Sequence, residues 1–353
     1  MTILLSISIY IVFFLFCLNY LPLYGSNRWL AKDSLTTLLF GLFLIAASVF
    51  SPIGADKANY IEFFHIVDAV DFGKDIGWTI LTRILHGICL GNHIIYLFVL
   101  AFIYVFAYYA IGKCKLGEKY VLYFLLLSAG CLGFWSGATN ILRAGIATSF
   151  FFFSLCMEEE KKKMYILFSI CACMIHNSVI ILVVSFFLTK YVQNFKYYIC
   201  LWLLFLLLSS ANALTPLVSF LSSSMGDIGD RLAEYAFNED SSTAELYVKA
   251  GFRIDFILYS ALPIVYSRWI VLKQGYNDLF YKRLSCTYIL VNCFFLTMIR
   301  VPYADRFALL SWSLISLIIL YPYMNPKHRL KFNPMVVTVA FLPVLLQLVL
   351  TLR

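Results

Sequence analysis

The chain has 353 residues, of which 62% are hydrophobic and 13% are charged. A soluble domain is roughly half apolar and a quarter charged, so this composition excludes a water-soluble globular fold. The formal charge of +8 does not indicate nucleic-acid binding, because the basic residues sit in short loops between apolar runs. We therefore expect an all-α, polytopic integral membrane protein.

Near-continuous apolar runs follow one another along the chain. Several reach the ~20 residues that a membrane-spanning helix needs, and the others have apolar flanks, which predicts about 10–12 transmembrane helices. We expect these helices to form a single transmembrane domain over residues 1–353. The runs cover residues 2–20, 35–50, 94–111, 120–135, 199–209, 254–272, 284–299, 307–321 and 335–350.

The basic residues predict an orientation and a break in one helix. Cytoplasmic loops carry the excess of Lys and Arg, but one unbroken helix over residues 164–188 would place most of the later basic loops outside. The conflict disappears if the polar triplet at residues 176–178 divides this segment into two short helices that enter from the cytoplasm and return to it. The sequence therefore predicts one broken, re-entrant helix pair.

The same orientation predicts two larger outer loops. The first covers residues 51–92 and contains an interfacial helix at residues 76–90, and the second covers residues 211–254. Ionisable groups at the edge of a membrane span are costly, so each is a functional hypothesis. Those that this topology gathers on the outer side are Asp56, Glu62, His65, Arg83, Arg143, His176, Arg253, Asp255, Arg300, Asp305 and Arg306. We infer an outward-facing site.

Two residues near helix ends are the leading catalytic candidates. Arg143 follows a short polar turn, and its guanidinium suits a pyrophosphate because it binds phosphate through two parallel hydrogen bonds. A snorkelling or salt-bridged arginine is the alternative. His176 suits proton abstraction from a sugar hydroxyl, or a hydrogen bond across helices that steadies the break. No His, Asp or Glu accompanies it at ligand spacing, so we expect no metal.

The turn at residues 299–306 is a candidate for a second anionic subsite. It carries Arg300, Tyr303 and Arg306 around a proline, and proline ends one helix and sets the next. A tight solvated turn is the alternative.

The first outer loop is a candidate for sugar binding. Asp56 and Tyr60 share a helix face with Phe63 or Phe64, and Glu62 lies near them. Carboxylates accept hydrogen bonds from sugar hydroxyls, and aromatic rings cover the flat C–H faces of sugars. An ordinary solvated acidic loop is the alternative.

Motifs for nucleotides, cofactors and metals are missing from the sequence. It has no P-loop, no Gly-rich dinucleotide motif, no nucleophile elbow and no HExxH motif. We therefore expect no cofactor, and an activated substrate would have to arrive already energised.

Several motifs in chain order resemble the EpsG-type polysaccharide polymerases, relatives of the bacterial Wzy O-antigen and capsule polymerases. They are Asp56-x-x-x-Tyr60, Asp75-Ile-Gly-Trp-Thr-Ile-Leu, Arg143-Ala-Gly-Ile-Ala and Met174-Ile-His176-Asn-Ser178. The resemblance covers most of residues 35–190 and, more loosely, the rest. The chain departs from the family pattern where Ala144 replaces a common Gln and Ile175 replaces a common Phe.

The resemblance implies a reaction at the periplasmic face of the bacterial inner membrane. The donor would be a glycan on undecaprenyl pyrophosphate, and the acceptor a sugar hydroxyl of another lipid-linked repeat unit. His176, Asp56 or Glu62 would deprotonate the acceptor. The residues expected to bind substrate are Arg143, Arg300, Arg306, Arg253, Arg83, Tyr303 and Tyr60. Expected partners are membrane lipid and a chain-length regulator and flippase of the same pathway, and no nucleic acid.

Two other functions share these features. A transporter or flippase for lipid-linked oligosaccharide would also have many spans and a cationic cavity, but it should show paired halves with corresponding broken helices. Another lipid-linked glycosyltransferase or an O-antigen ligase would share the donor and differ in the acceptor.

Overall fold

The computed structural model describes residues 34–52, 55–72, 75–214, 216, 252–301, 303–331 and 342–343. Every regular element in these ranges is a helix, which confirms the all-α prediction. In chain order the α-helices are α1 (Ser34–Val49), α2 (Ala55–Ile66), α3 (Ile76–Ile88), α4 (His93–Leu116), α5 (Val121–Ala129), α6 (Leu132–Trp135), α7 (Leu142–Met157), α8 (Lys162–Ile175), α9 (Val179–Leu188), α10 (Phe195–Ser210), α11 (Ile254–Arg268), α12 (Leu279–Thr297), α13 (Ala304–Trp312) and α14 (Ile315–Met324). A 3₁₀ turn covers Glu118–Tyr120, and π-helical turns cover Ser136–Asn140 and Trp269–Lys273.

Several helices are long and apolar enough to cross a membrane, so the protein is a multi-pass membrane protein. In the described ranges they are His93–Leu116, Ile254–Lys273 and Ala304–Met324, and a bent pair over Glu118–Asn140 makes a fourth if it counts as one span. Helices α1, α7, α9 and α10 are apolar but shorter, below the ~20 residues of a full span. The predicted run at residues 2–20 lies outside the described residues, and so does the run at residues 335–350 apart from residues 342–343.

Polar side chains define where the apolar helices begin. The Asn92 side chain accepts hydrogen bonds from the backbone N–H groups of Ile94 and Ile95, at 2.9 and 3.3 Å, at the start of α4. Asp278 accepts from the N–H of Tyr281 at 2.8 Å at the start of α12. Each cap satisfies donors that have no partner inside the helix.

A buried lysine donates hydrogen bonds to backbone carbonyls at the C-terminal end of α1. Lys57 lies on α2, and its ammonium donates hydrogen bonds to the carbonyls of Ser48, Val49 and Ser51 at 3.2, 2.7 and 3.0 Å. Burial lowers the pKa of Lys57. A cation at a helix C-terminus is favoured by the helix dipole, so this residue ties α2 to the end of the preceding helix.

The chain divides into two compact units. Unit 1 comprises residues 1–183 and 313–353, and unit 2 comprises residues 184–312. In unit 1, α4 packs against α1, α5 and α7, while α7 packs against α8. Helix α14 is buried along its whole length and packs on α5, where the hydroxyls of Ser128 and Ser316 lie 2.8 Å apart.

The apolar run at residues 120–135 is two elements that meet at an 84° bend. The indole N–H of Trp135 donates to the carbonyl of Ala129 at 2.7 Å, and the Tyr104 hydroxyl donates to the carbonyl of Phe134 at 3.0 Å. A break in an apolar region is stable only where neighbouring groups satisfy the freed backbone. These two aromatic side chains supply the donors.

The predicted break at residues 176–178 is confirmed. Helix α8 ends at Ile175, and α9 begins at Val179. His176 between them has an extended backbone, with φ −152° and ψ 114°. The polar triplet therefore interrupts the apolar segment at the position that the sequence indicated.

A buried polar chain joins three helices of unit 2. The indole N–H of Trp202 on α10 donates to Asn292 Oδ1 at 2.8 Å, and Asn292 Nδ2 donates to the Ser311 hydroxyl at 3.2 Å. Asn292 and Ser311 are fully buried. Polar groups in such a position are stable only when their hydrogen bonds are made.

Asn292→Ala should destabilise the protein by about 1–3 kcal/mol, because it leaves the buried Trp202 indole without its acceptor. Adding Trp202→Phe removes that donor, so the double variant should lose clearly less than the sum of the two single changes. Chemical denaturation in detergent measures the free energy of unfolding of the single and double variants. Strictly additive losses would contradict the coupling.

Candidate functional site

A buried carboxylate in unit 1 gathers three polar groups. Asp75 Oδ2 lies 2.9 Å from Arg143 Nη1 and 3.5 Å from His176 Nδ1, and Asp75 Oδ1 accepts from the backbone N–H of Asn177 at 3.3 Å. The Asp75 side chain is 6% exposed, against 29% for Arg143 and 22% for His176. The carboxylate is therefore enclosed, while the arginine and the histidine are both partly accessible.

Asp75 stands directly before α3, where an aspartate usually caps the helix with its side chain. Its side chain makes no such cap hydrogen bond here. The carboxylate is directed instead to Arg143 on α7 and to His176 and Asn177 in the break after α8. The backbone carbonyl of Asp75 still accepts from the N–H groups of Trp78 and Thr79, at 3.0 and 3.2 Å.

Gly77 explains how the carboxylate reaches the helix break. A Cβ atom at this position would lie 2.7 to 2.8 Å from backbone and Cβ atoms of Met174 and Ile175. The start of α3 therefore packs directly on the backbone at the end of α8. Only glycine permits this approach, and it places Asp75 beside His176.

A second close contact positions Arg143. A Cβ atom at Gly145 would overlap the carbonyl oxygen of Gly137, and one at Gly137 would lie 2.7 Å from the Tyr104 hydroxyl oxygen. The π-helical turn before α7 is therefore pressed against both α7 and α4. This fixes the first turn of α7, from which the Arg143 side chain extends.

An aromatic pair borders the charged groups. The Arg143 guanidinium carbon lies 5.8 Å from the centre of the Tyr60 ring, and the rings of Tyr60 and Trp78 meet edge to face at 5.6 Å. Asp56 lies one helical turn before Tyr60 and is half-buried. Glu62 is exposed and two residues further along α2, about 200° around the helix from Tyr60.

The site keeps Asp75 ionised. Burial alone would raise the pKa of this carboxyl, but the hydrogen bond and charge of His176, the charge of Arg143 and the N–H of Asn177 together hold its pKa below the ordinary value. An ionised carboxylate at His176 Nδ1 accepts a hydrogen bond from the N–H of that nitrogen. An imidazole that carries its proton on Nδ1 has Nε2 as its acceptor atom.

The contacts of these two residues agree with the structural alternatives that the sequence left open. Arg143 is salt-bridged, and His176 is hydrogen-bonded across helices. Both are partly accessible, and their roles in binding a pyrophosphate and in proton abstraction stay predictions.

The chain matches the model of the EpsG family over residues 33–352. It is a member of the EpsG family. No match was found among curated proteins or among solved structures. Family membership links this membrane protein to exopolysaccharide synthesis, and the matched range contains all the site residues described above.

In this EpsG-family protein, unit 2 uses Arg300 at a helix end. Its guanidinium donates to the carbonyls of Ser209 at 3.4 Å and Ser210 at 3.2 Å, which are the last residues of α10. The guanidinium carbon lies 5.2 Å from the centre of the Phe252 ring. Arg300 is exposed, and its role in binding a substrate stays a prediction.

The other predicted residues of unit 2 also make local contacts. Arg253 donates three hydrogen bonds to Asp255, at 2.9, 3.2 and 2.6 Å, and stacks on Phe256 at 3.9 Å. Arg306 lies 4.5 Å from the centre of the Tyr303 ring. Tyr303 has φ +59°, which is uncommon for a residue other than glycine and agrees with a tight turn.

Arg83 lies in unit 1 but on a different part of α3 from Asp75. It donates to the carbonyls of Val67, at 3.1 Å, and Val70 and lies 4.5 Å over the Phe72 ring. It holds the turn after α2 in place. Substrate binding by Arg83 stays a prediction.

The sequence did not assign a role to Asp75, although it stands in the second family motif. An aspartate at the start of a helix normally predicts a helix cap, so the position of Asp75 did not indicate a role in the site. The available signal was Gly77 two residues later, because a glycine early in a helix indicates a close backbone approach.

Asp75→Asn should lower the melting midpoint by about 5 °C at neutral pH, because it removes the charge that Arg143 and His176 share. The depressed pKa of Asp75 stabilises the fold above the ordinary value of 3.8. That stabilisation is lost as the pH falls through the folded-state pKa. The gap between wild type and variant should therefore narrow as the pH falls below 3.8.

Melting curves of the detergent-solubilised protein across this pH range measure the effect. Asp71→Asn, at an exposed position in the preceding loop, is the matched control. A gap that stays constant from neutral pH to acid would show that the Asp75 charge does not stabilise the fold.

Proposed function

We propose that this EpsG-family protein is a polysaccharide polymerase at the outer face of the bacterial inner membrane. It joins oligosaccharide repeat units carried on undecaprenyl pyrophosphate into O-antigen or capsular polysaccharide. The observation that carries this proposal is the buried Asp75 carboxylate between Arg143 and His176. Such a cluster supplies a base and a cation, which glycosyl transfer from a pyrophosphate requires.

His176 acts as the general base. Its Nε2 takes the proton of the acceptor hydroxyl, while Asp75 at Nδ1 stabilises the imidazolium that forms. The acceptor oxygen bonds to the anomeric carbon of the donor, and the bond from that carbon to the pyrophosphate oxygen breaks. Undecaprenyl pyrophosphate leaves with the electron pair. The proton later returns from His176 to water or to the leaving group.

Arg143 acts on the negative charge that grows on the leaving group. A guanidinium has five N–H donors in a rigid fork, so it can contact Asp75 through Nη1 and a phosphate oxygen through a different edge. Because Asp75 balances the resting charge of Arg143, the pair is neutral before substrate arrives. The approach of a pyrophosphate then redistributes these hydrogen bonds, and the positive charge is already in place when the bond breaks.

The neighbouring side chains favour a sugar as the reacting group. Tyr60 presents a half-buried ring beside Arg143, and Asp56 lies one turn away on the same face. Of the three proposed bases, His176 is the one bound to a positioning carboxylate. Glu62 is exposed on another face of α2, so we propose that it lies at the edge of the site and away from the reacting bond.

The remaining assignments belong to the same proposal. Membrane lipid and the pathway's flippase and chain-length regulator are the expected partners. The residues proposed to assist substrate binding, beyond Tyr60, are Arg83, Arg253, Arg300, Tyr303 and Arg306.

His176→Ala and Arg143→Ala should abolish the long-chain ladder in a deletion strain, at equal membrane abundance of the protein. A general base contributes roughly 10²- to 10⁴-fold to a rate, so polymer should fall below detection while the single repeat unit still reaches the surface. His328→Ala, at an exposed position of unit 1, should keep the wild-type ladder. Gels of extracted lipopolysaccharide or capsule measure the outcome.

Other outcomes of that experiment separate the competing functions. Lipid-linked repeat units trapped on the cytoplasmic side would identify a flippase. Full-length polymer that stays on its lipid carrier would identify a ligase. Either result would overturn the polymerase assignment.

Gly77→Ala should reduce polymer formation by about 100-fold without changing any reactive group, because a displacement near 1 Å misaligns a catalytic residue. The added methyl meets the backbone of α8 and moves Asp75 from His176. Gly87→Ala is the control on the same helix, since a Cβ there meets nothing within 4 Å. Equal activity of the two variants would show that the Asp75–His176 contact does not matter for the reaction.

A further inference from the structure

Three of the five histidines of the chain lie near one another in unit 1, and two of them contact one aromatic ring. The centre of the Phe64 ring lies 5.0 Å from that of His86 and 5.5 Å from that of His65, and His65 lies 5.4 Å from His93. His65 is exposed, while His86 and His93 are half-buried. We call His65, His86 and His93 the imidazole cluster. Its ring edges reach the surface from three helices.

A rigid base supports the imidazole cluster. The Phe64 ring is fully buried and stacks on the buried ring of Tyr96 at 4.3 Å. The Tyr96 hydroxyl lies 3.4 Å from that of Thr82, which joins α4 to α3. The cluster is therefore built on packed helices rather than on a loop.

One histidine of the cluster has a fixed orientation. His86 Nδ1 lies 2.9 Å from Asp68 Oδ2, so the neutral ring donates from Nδ1 and keeps Nε2 as an acceptor. The turn that carries Asp68 is held by Arg83 through the carbonyls of Val67 and Val70. This is the same Asp–His arrangement as in the Asp75 site, at the other end of α3.

The imidazole cluster is continuous with the Asp75 site along α2 and α3. Tyr60 of α2 meets Trp78 of α3 beside Arg143, and one turn further along α2, Phe64 meets His86. His86 comes 11 residues after Asp75, which is roughly 16 Å along a helix. A ligand that lies along this pair of helices and is longer than one sugar can contact both places.

We propose that the imidazole cluster is a glycan-binding subsite for the part of the repeat unit remote from the reacting bond. This inference rests on the proposed polymerase function. Neutral imidazoles donate and accept hydrogen bonds, as sugar hydroxyls do. In the described part of the chain no group of three or more His, Cys, Asp or Glu side chains is arranged to hold a metal ion. A hydroxyl-rich neutral ligand therefore suits the cluster better than a cation.

The test measures binding of a lipid-free repeat-unit oligosaccharide, released from the host's own lipid-linked precursor, to the purified full-length protein in detergent. Saturation-transfer NMR should show a Kd at least about fivefold weaker for the double variant His65→Ala, His93→Ala, because each lost hydrogen bond weakens binding. His328→Ala is the matched control. Wild type and His328→Ala should bind alike, and each variant should keep the melting midpoint of the wild type.

The ladder in the deletion strain gives a second readout. The double variant should still polymerise but with a shorter modal chain, because the glycan dissociates sooner. A Kd within twofold of the His328→Ala value would overturn the subsite, even if His176→Ala abolishes polymer. Repeat units trapped on the cytoplasmic side, or full-length polymer that stays on its lipid carrier, would overturn the polymerase function. The NMR titration would still decide whether the glycan binds the imidazole cluster.

Discussion

The ionised carboxylate of Asp75 is the constraint on which the rest of the site depends. Removing a carboxylate from water costs several kcal/mol unless charges and hydrogen bonds replace the lost hydration. Arg143, His176 and the N–H of Asn177 provide that replacement from the start of α7 and from the break after α8. The break is therefore required, because a backbone N–H inside a continuous helix would already be bonded to the preceding turn.

Glycines make this arrangement sterically accessible. Arg143 and His176 lie on separate helices, and side chains between helices normally hold their backbones 8–10 Å apart. Gly77 removes that separation at α3 and α8, and Gly145 with Gly137 removes it at α7 and the π-helical turn. Two backbone contacts thus set the position of the arginine and of the carboxylate independently of any charge. The electrostatic attraction then acts on groups that are already close, and little conformational entropy opposes it.

The sequence predicted the parts of this molecule that depend on hydropathy and charge. It predicted the all-α membrane class and the break at residues 176–178, because polar residues inside apolar runs can be recognised from the sequence alone. The catalytic roles of Arg143 and His176 stay predictions. It did not predict the bend at Gly130. The run at residues 120–135 is apolar before and after the bend, so hydropathy does not mark the point where the helix changes direction. The sequence also predicted more full-length spans than the described helices provide. A full span needs roughly 20 residues, and several of these helices have 16 residues or fewer.

The choice of partner for a polar side chain is what the sequence could not decide. Asp75 had the position of a cap, and the structure directs its side chain elsewhere. Arg300 had the position of a phosphate ligand, and it holds the carbonyls at the end of α10. In each case several partners of suitable chemistry exist, and the one within reach depends on which helices pack together. Helix packing is a property of the tertiary structure, so neither helix propensity nor motif spacing predicts it.

Helix α3 has a geometric role that follows from its two ends. Asp75 precedes its first turn and His86 lies in its last turn, and each pairs with a group from another element. A helix keeps a fixed length, so the distance between Asp75 and His86 does not vary with loop motion. In the function proposed above, substitutions at His65 and His93 change which glycan is held without moving Asp75, because those two residues lie on α2 and α4. The proposal thus assigns selectivity for the glycan and the chemistry of transfer to opposite ends of one rigid helix.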